Sequence, residues 1–175
     1  MLLNEIRKNA GLLNESYENL TAEEIYQKGE KDPNFDFKKG FDALITKDKE
    51  GSWIYWAGLE WKTFDFNKGL DALIENDKEG NWIYRAGRYW KTFDFKKGLD
   101  ALIEIDTTGE FIYWAGREWG SFDYKKGMKA LEKIGGEYLE KAKKEWPKSY
   151  PEKLKDVKDK YDENHIPGKR RKLKR

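Results

Sequence analysis

Gly109-Glu110-Phe111-Ile112-Tyr113-Trp114-Ala115-Gly116-Arg117-Glu118-Trp119 can be read two ways. Taken alone it is a strand, because Phe, Ile, Tyr and Trp in succession are strand formers. Asp106-Thr107-Thr108-Gly109 ahead of it has the composition of a hairpin turn. The choice is made elsewhere in the chain, because the segment recurs. Gly136-Glu137-Tyr138-Leu139-Glu140-Lys141-Ala142-Lys143-Lys144-Glu145-Trp146 aligns to it without gaps, and this copy is plainly helix-forming. Towards the N-terminus, Thr21-Ala22-Glu23-Glu24 is a capping box. It leads into Ile25-Tyr26-Gln27-Lys28-Gly29, in register with Ile54-Tyr55-Trp56-Ala57-Gly58. Equivalent positions of a repeat share a conformation, so the inner copies are predicted to be short helices against their local strand propensity.

The repeat extends on both sides of this segment. Phe35, Phe64, Phe93 and Phe122 open the stretches FDFKKGFDALI, FDFNKGLDALI, FDFKKGLDALI and FDYKKGMKALE at steps of 29 residues. Residues 64–92 and 93–121 agree at 19 of 29 positions, far above chance, so the chain is built by repetition. The opening half of each unit has a helical pattern. Asp65 is placed to N-cap, and Phe66, Leu70, Leu73 and Ile74 fall on one helical face. Gly69 inside that pattern costs about 1 kcal/mol. Its recurrence as Gly40, Gly98 and Gly127 suggests close approach of a neighbouring helix.

These readings predict helices A over 52–61, 81–90 and 109–119, and helices B over 36–47, 65–76, 94–105 and 123–133. Residues 2–10 form a leading helix ended by Gly11, and 21–31 form a capping half-repeat. Pro147 and Pro151 break the chain before an amphipathic helix from Glu152 to about Glu163, ended by Pro167-Gly168. Four parts follow: 1–34 as N-terminal helix and cap, 35–146 as four repeats with a divergent last copy, 147–168 as C-terminal helix, and 169–175 as a basic tail. The expected fold class is all-α, helix pairs stacked as a right-handed α-solenoid, because helices this short need their neighbours. An α+β array with W-I-Y-x-A-G as strand is the alternative.

The pattern Ala86-Gly87-x-x-Trp90-Lys91-x-x-Asp94-Phe95-Lys96-Lys97-Gly98-Leu99-x-Ala101 resembles the tetratricopeptide repeat, at a period of 29 instead of 34 residues, over roughly 21–146. The resemblance implies an interaction scaffold and no enzyme. The opening Leu3-Asn4-Glu5-Ile6-Arg7-Lys8-Asn9-Ala10-Gly11-Leu12 and the aromatic-rich repeats also resemble helical-repeat proteins of tailed phages. That second likeness implies an inhibitor of a host or defence enzyme and a place in the host cytoplasm or virion.

Composition narrows the chemistry. The chain has 175 residues, one His and no Cys, which removes disulfides, thiol nucleophiles and Cys-based metal sites. No apolar run approaches a membrane span, and Met1-Leu2-Leu3 is too short for a signal peptide, so a cytoplasmic protein is expected. Asp42, Asp71 and Asp100 recur on helix B and Asp48, Asp77 and Asp106 at its end, and because D-K-E-G and D-T-T-G lack calcium-loop spacing the set is assigned to helix termination and solvated faces. His165 lies in a polar, Pro-bounded segment, and no glycine set forms a phosphate-binding loop. No catalytic residues, metal ligands or cofactor are expected.

Two features remain for binding. The in-register aromatics Trp61, Trp90, Trp119, Tyr55, Tyr84 and Tyr113 are assigned to the core between repeats. The positions that vary inside the strict repeat are assigned to free surface: Trp56, Arg85 and Trp114 at one register, Arg88 and Arg117 at another, where the first copy has Leu59. Trp and Arg there are suited to anchor a protein or peptide partner, the leading functional expectation. The tail Lys169-Arg170-Arg171-Lys172-Leu173-Lys174-Arg175 carries six positive charges, and the preceding 168 residues hold 29 basic against 33 acidic side chains. A basic end on an acidic body can contact nucleic-acid phosphates without sequence preference, the alternative expectation, with exposed Trp stacking on bases. Oligomeric state is left open.

Overall fold

The computed structural model describes residues 17–146. Among them are nine helices and no strand. They are α1 (Ala22–Lys31), α2 (Phe37–Lys47), α3 (Ser52–Glu60), α4 (Phe66–Asn76), α5 (Asn81–Tyr89), α6 (Phe95–Ile105), α7 (Glu110–Glu118), α8 (Tyr124–Ile134) and α9 (Gly136–Glu145). The W-I-Y-x-A-G segments are therefore helical, which removes the α+β alternative. Each helix packs on the next in sequence and on the next but one. The odd-numbered helices stack as one layer, A, and the even-numbered ones as a second layer, B, in an α-solenoid. The expected helix at 2–10, the helix from Glu152, His165 and the basic tail lie outside the described residues.

Local chemistry sets each boundary. The capping box at Thr21 is formed, with Glu24 N–H donating to Thr21 Oγ1 at 3.2 Å and Thr21 N–H to Glu24 Oε2 at 2.8 Å. Asp65 and Asp94 cap α4 and α6 by accepting the N–H of Lys68 and Lys97, each at 3.0 Å. Every B helix except α8 ends on an Asp with extended backbone, followed by a turn that closes on a glycine with φ of +78° to +93°. Only glycine adopts that conformation without strain.

The aspartates at those turns end the B helices as expected, but they are buried, whereas the solvated ones are Asp42, Asp71 and Asp100. Asp77 is 3% exposed. Its Oδ1 accepts the Gly80 N–H at 2.9 Å, and its Oδ2 accepts the N–H groups of Trp82 (2.7 Å) and Ile83 (2.9 Å). Asp48 and Asp106 make the equivalent bonds to Gly51 and Ile54, and to Gly109 and Ile112. One carboxylate thus ends a B helix and accepts from orphan donors at the start of the following A helix, which has no side-chain cap of its own. The strand-like A segment becomes a helix because its start is held by a side chain six residues upstream.

The repeat glycines also have an unexpected neighbour. A Cβ on Gly69 would lie 2.6 Å from the Phe64 ring and 3.1 Å from Trp90, so the close approach is of aromatic rings and not of a helix. Gly58 makes room for Trp90 of the next unit, and Gly116 for Trp146, where a Cβ would lie 2.5 Å from the indole. The indole N–H of each tryptophan reaches back 35 residues to a backbone carbonyl: Trp61 to Tyr26, Trp90 to Tyr55 and Trp119 to Tyr84, at 3.2, 3.0 and 2.9 Å. Phe64 and Phe66 meet the Trp90 ring edge-on at 5.2 and 5.6 Å, and the set recurs around Trp119. Each repeat is therefore fastened to its predecessor by one buried indole. Gly109 and Gly136 are only 27 residues apart. In that shortened unit Trp146 is buried without a hydrogen-bond partner for Nε1.

Candidate functional site: the seams of the A layer

Successive A helices meet along seams of one plan. A tyrosine sits in the middle of one A helix, and a residue four positions on lies beside it. The last residue of the next A helix reaches across. In the third seam these are Tyr84, Arg88 and Glu118. Arg88 Nη1 and Glu118 Oε2 are 2.8 Å apart, and the Tyr84 hydroxyl donates to the same oxygen. In the fourth seam they are Tyr113, Arg117 and Glu145. Arg117 Nη1 lies 2.9 Å from Glu145 Oε2 and 3.1 Å from the tyrosine oxygen, and the Tyr113 hydroxyl donates to Glu145 Oε2 at 2.6 Å. A hydroxyl and a guanidinium thus converge on one carboxylate oxygen in both seams. In the first seam the carboxylates of Glu30 and Glu60 bear on Tyr26.

The second seam departs from the plan. Its residues are Tyr55, Leu59 and Tyr89, so both the cation and the carboxylate are replaced by apolar groups. Tyr89 is 49% exposed, the exposed large hydrophobic side chain among the described residues.

The tyrosines titrate late as a consequence of burial. Tyr55 is pushed up to about 12 by burial, against the pull of Arg85 and Arg88. Tyr26 and Tyr84 are also raised, by burial first and then by the neighbouring carboxylates. A phenol raised above its ordinary value near 10 stabilises the fold fully below pH 10 and ceases to do so as pH rises through the folded value. Loss of helical circular dichroism between pH 10 and about 12 is expected. The 295 nm tyrosinate absorbance of the buried set should rise in the same cooperative step. Complete titration below pH 10.5 with the helices intact would contradict this burial.

The five residues singled out by the sequence fall on this layer. Trp56, Arg85 and Trp114 hold equivalent, half-buried positions on α3, α5 and α7. The Trp56 and Trp114 rings lean on Tyr55 and Tyr113 at 5.3 and 5.2 Å. Arg85 donates from Nε to Asn81 Oδ1 at 2.9 Å and lies 5.7 Å over Trp82. Arg117 lies 5.3 Å over Trp114, so these two come together. Arg88 and Arg117 are engaged in the ion pairs described above, a structural use that the sequence reading did not give them. Glu118 and Glu145 were missed, as was Tyr89, while Tyr55 was assigned to the core and Leu59 named only as the apolar exception at the register of Arg88 and Arg117. The signal available for the two glutamates was the joint appearance of Arg four residues after the tyrosine and Glu 34 or 32 after it. The tail residues Lys169, Arg170, Arg171, Lys172, Lys174 and Arg175 lie outside the described residues.

Comparison of the chain with protein-family models, curated proteins and solved structures finds no match. The site is therefore interpreted from its own chemistry. On the B layer, Lys68, Lys97 and Lys126 pair with Asp42, Asp71 and Asp100 of the preceding unit. These bridges are about half exposed and contribute little each. Among the described residues no group of three His, Cys, Asp or Glu side chains is placed to hold a metal ion. No helix among them is long and apolar enough to cross a membrane. A shallow open depression lies beside α1, lined in part by Leu20, Glu24, Gln27 and Lys31. It includes none of the five A-layer residues.

Proposed function

We propose that the chain is a non-enzymatic interaction scaffold whose A-layer face docks a protein or peptide partner. The supporting observation is the contrast between invariance inside and variation outside. Gly58, Gly87, Trp90, Trp119 and the buried aspartates repeat because packing requires them. Positions 56, 85 and 114 vary between Trp and Arg while remaining partly exposed. Large aromatics and arginines that packing does not dictate are the groups that anchor partner proteins. The likeness to tetratricopeptide repeats points the same way, although likeness of fold does not fix function.

The test is a paired substitution of Trp56→Ala and Trp114→Ala. Both rings are half-buried, so a loss of about 1 to 2 kcal/mol is expected, without unfolding. Crosslinking capture in the native cell extract, read by mass spectrometry, should lose its specific partner in the double variant. Unfolding of the variant would place both rings in the core and remove them from the site.

The second reading is nucleic-acid binding through residues 169–175, favoured by six positive charges in seven residues. Binding of that origin falls steeply with salt and disappears when 169–175 are deleted. Docking on the A layer survives both.

A further inference from the structure

Building on the A-layer docking reading, we propose that the α3–α5 seam is a receptor for a carboxylate of the protein partner, an Asp or Glu flanked by an apolar residue. It takes the place that Glu118 and Glu145 fill in the next two seams. The repeat itself supplies the template. In those seams one carboxylate oxygen accepts from a tyrosine hydroxyl and an arginine together. In the α3–α5 seam the tyrosine is present and the carboxylate is not.

Three observations converge on the empty position. The Tyr55 hydroxyl makes no hydrogen bond among the described residues and keeps contact with solvent, on a residue otherwise 3% exposed. Its counterparts Tyr84 and Tyr113 both donate to a carboxylate. Arg85 makes no ion pair among the described residues, and its terminal nitrogens have no recorded acceptor, whereas Arg88 and Arg117 are both paired. Trp82 connects the two, with its ring 5.3 Å from Tyr55 and 5.7 Å from the Arg85 guanidinium. The groups bearing on the Tyr55 hydroxyl are Arg85, Arg88 and Tyr89, with no carboxylate among them. The cation has moved from the α3 side, where Leu59 stands, to the α5 side.

The surroundings choose the kind of anion. Tyr89, which bears on the Tyr55 hydroxyl, and Trp56, whose ring leans on Tyr55 at 5.3 Å, give the position apolar surface suited to the methylene stem of an acidic side chain and to an apolar neighbour in the partner. One unpaired guanidinium balances a carboxylate monoanion and leaves a phosphate dianion half-neutralised. The partner is therefore an acidic, apolar peptide segment in preference to a nucleic acid.

The test uses the full chain and a fluorescein-labelled nonapeptide of alternating Leu and Glu. A Leu/Gln peptide, an oligo-dT and inorganic phosphate serve as comparisons. The Glu peptide should bind at least tenfold more tightly than the Gln peptide, and should shift the Arg85 Nε–Hε resonance while leaving that of Arg117 in place. Tyr55→Phe and Arg85→Gln should each weaken it about tenfold. A combined Leu59→Arg and Tyr89→Glu variant rebuilds the bridge of the following seam, so it should melt higher and bind no peptide.

Equal binding of the two peptides, no shift at Arg85 at millimolar peptide, or displacement by oligo-dT or phosphate at equal charge overturns the proposal. Capture that is lost with Trp56→Ala/Trp114→Ala but kept with Tyr55→Phe and Arg85→Gln refutes the carboxylate receptor alone. Capture indifferent to both pairs refutes the docking face as well.

Discussion

Gly87→Ala destabilises the protein by about 3 to 5 kcal/mol, measured by urea denaturation, even though alanine is the better helix former by about 1 kcal/mol. The added methyl would stand 2.5 Å from Trp119 Nε1 and 2.9 Å from the Phe93 ring. Trp119 is fully buried and cannot swing aside. Its displacement also breaks the bond to the Tyr84 carbonyl and leaves a buried donor unpaired. The loss is local in origin, because each unit touches only its neighbours. Amide exchange should accelerate first in α5, α6 and α7. Gly120→Ala is the control. A Cβ there meets only Phe95 at 3.6 Å, an ordinary contact, and stability should stay within about 0.5 kcal/mol. A neutral Gly87→Ala would show that the indole does not seat against this glycine.

Asp77→Ala is expected to cost about 3 kcal/mol, because it strips acceptors from the N–H groups of Gly80, Trp82 and Ile83 in a buried turn. Asp77→Asn keeps one acceptor and turns an amide towards the remaining donors, so it should recover only part of the loss. Asp71→Ala, six residues earlier and within α4, should cost less than 1 kcal/mol. Asp71 pairs with Lys97 in the open, where solvent offsets most of the gain. Equal effects at the two positions would mean that Asp77 does not hold the start of α5.

Asp71 and Asp77 also show what could be seen in the sequence. Both recur at the repeat step, and periodicity alone treats them alike. Only the fold reveals that one carboxylate faces water and the other is enclosed by backbone donors. Helical layers were legible because the end copies, Thr21–Gly29 and Gly136–Trp146, are unambiguous where the inner copies are not. Burial of Trp61, Trp90 and Trp119 followed from their register. The role of Gly69 was misassigned because its neighbour is a side chain, and ring positions are not encoded in spacing. Arg88 and Arg117 were recognised as variable, but their partners Glu118 and Glu145 sit on the next A helix, 30 and 28 residues on. Such pairings become visible only when the layer stacks. The same applies to Tyr55, whose missing acceptor is evident only beside two seams that have one.

The indoles that bond 35 residues back have a mechanical meaning. Pulling on the chain loads each junction through one aromatic hook seated against a glycine, in series with its neighbours. Such a series yields one link at a time, each failure releasing 29 residues, or about 100 Å of slack. Trp146, whose hook lacks the hydrogen bond, is expected to be the first of the described links to yield. The molecule is in this respect a graded spring, able to lengthen from one side while the remaining units keep their grip.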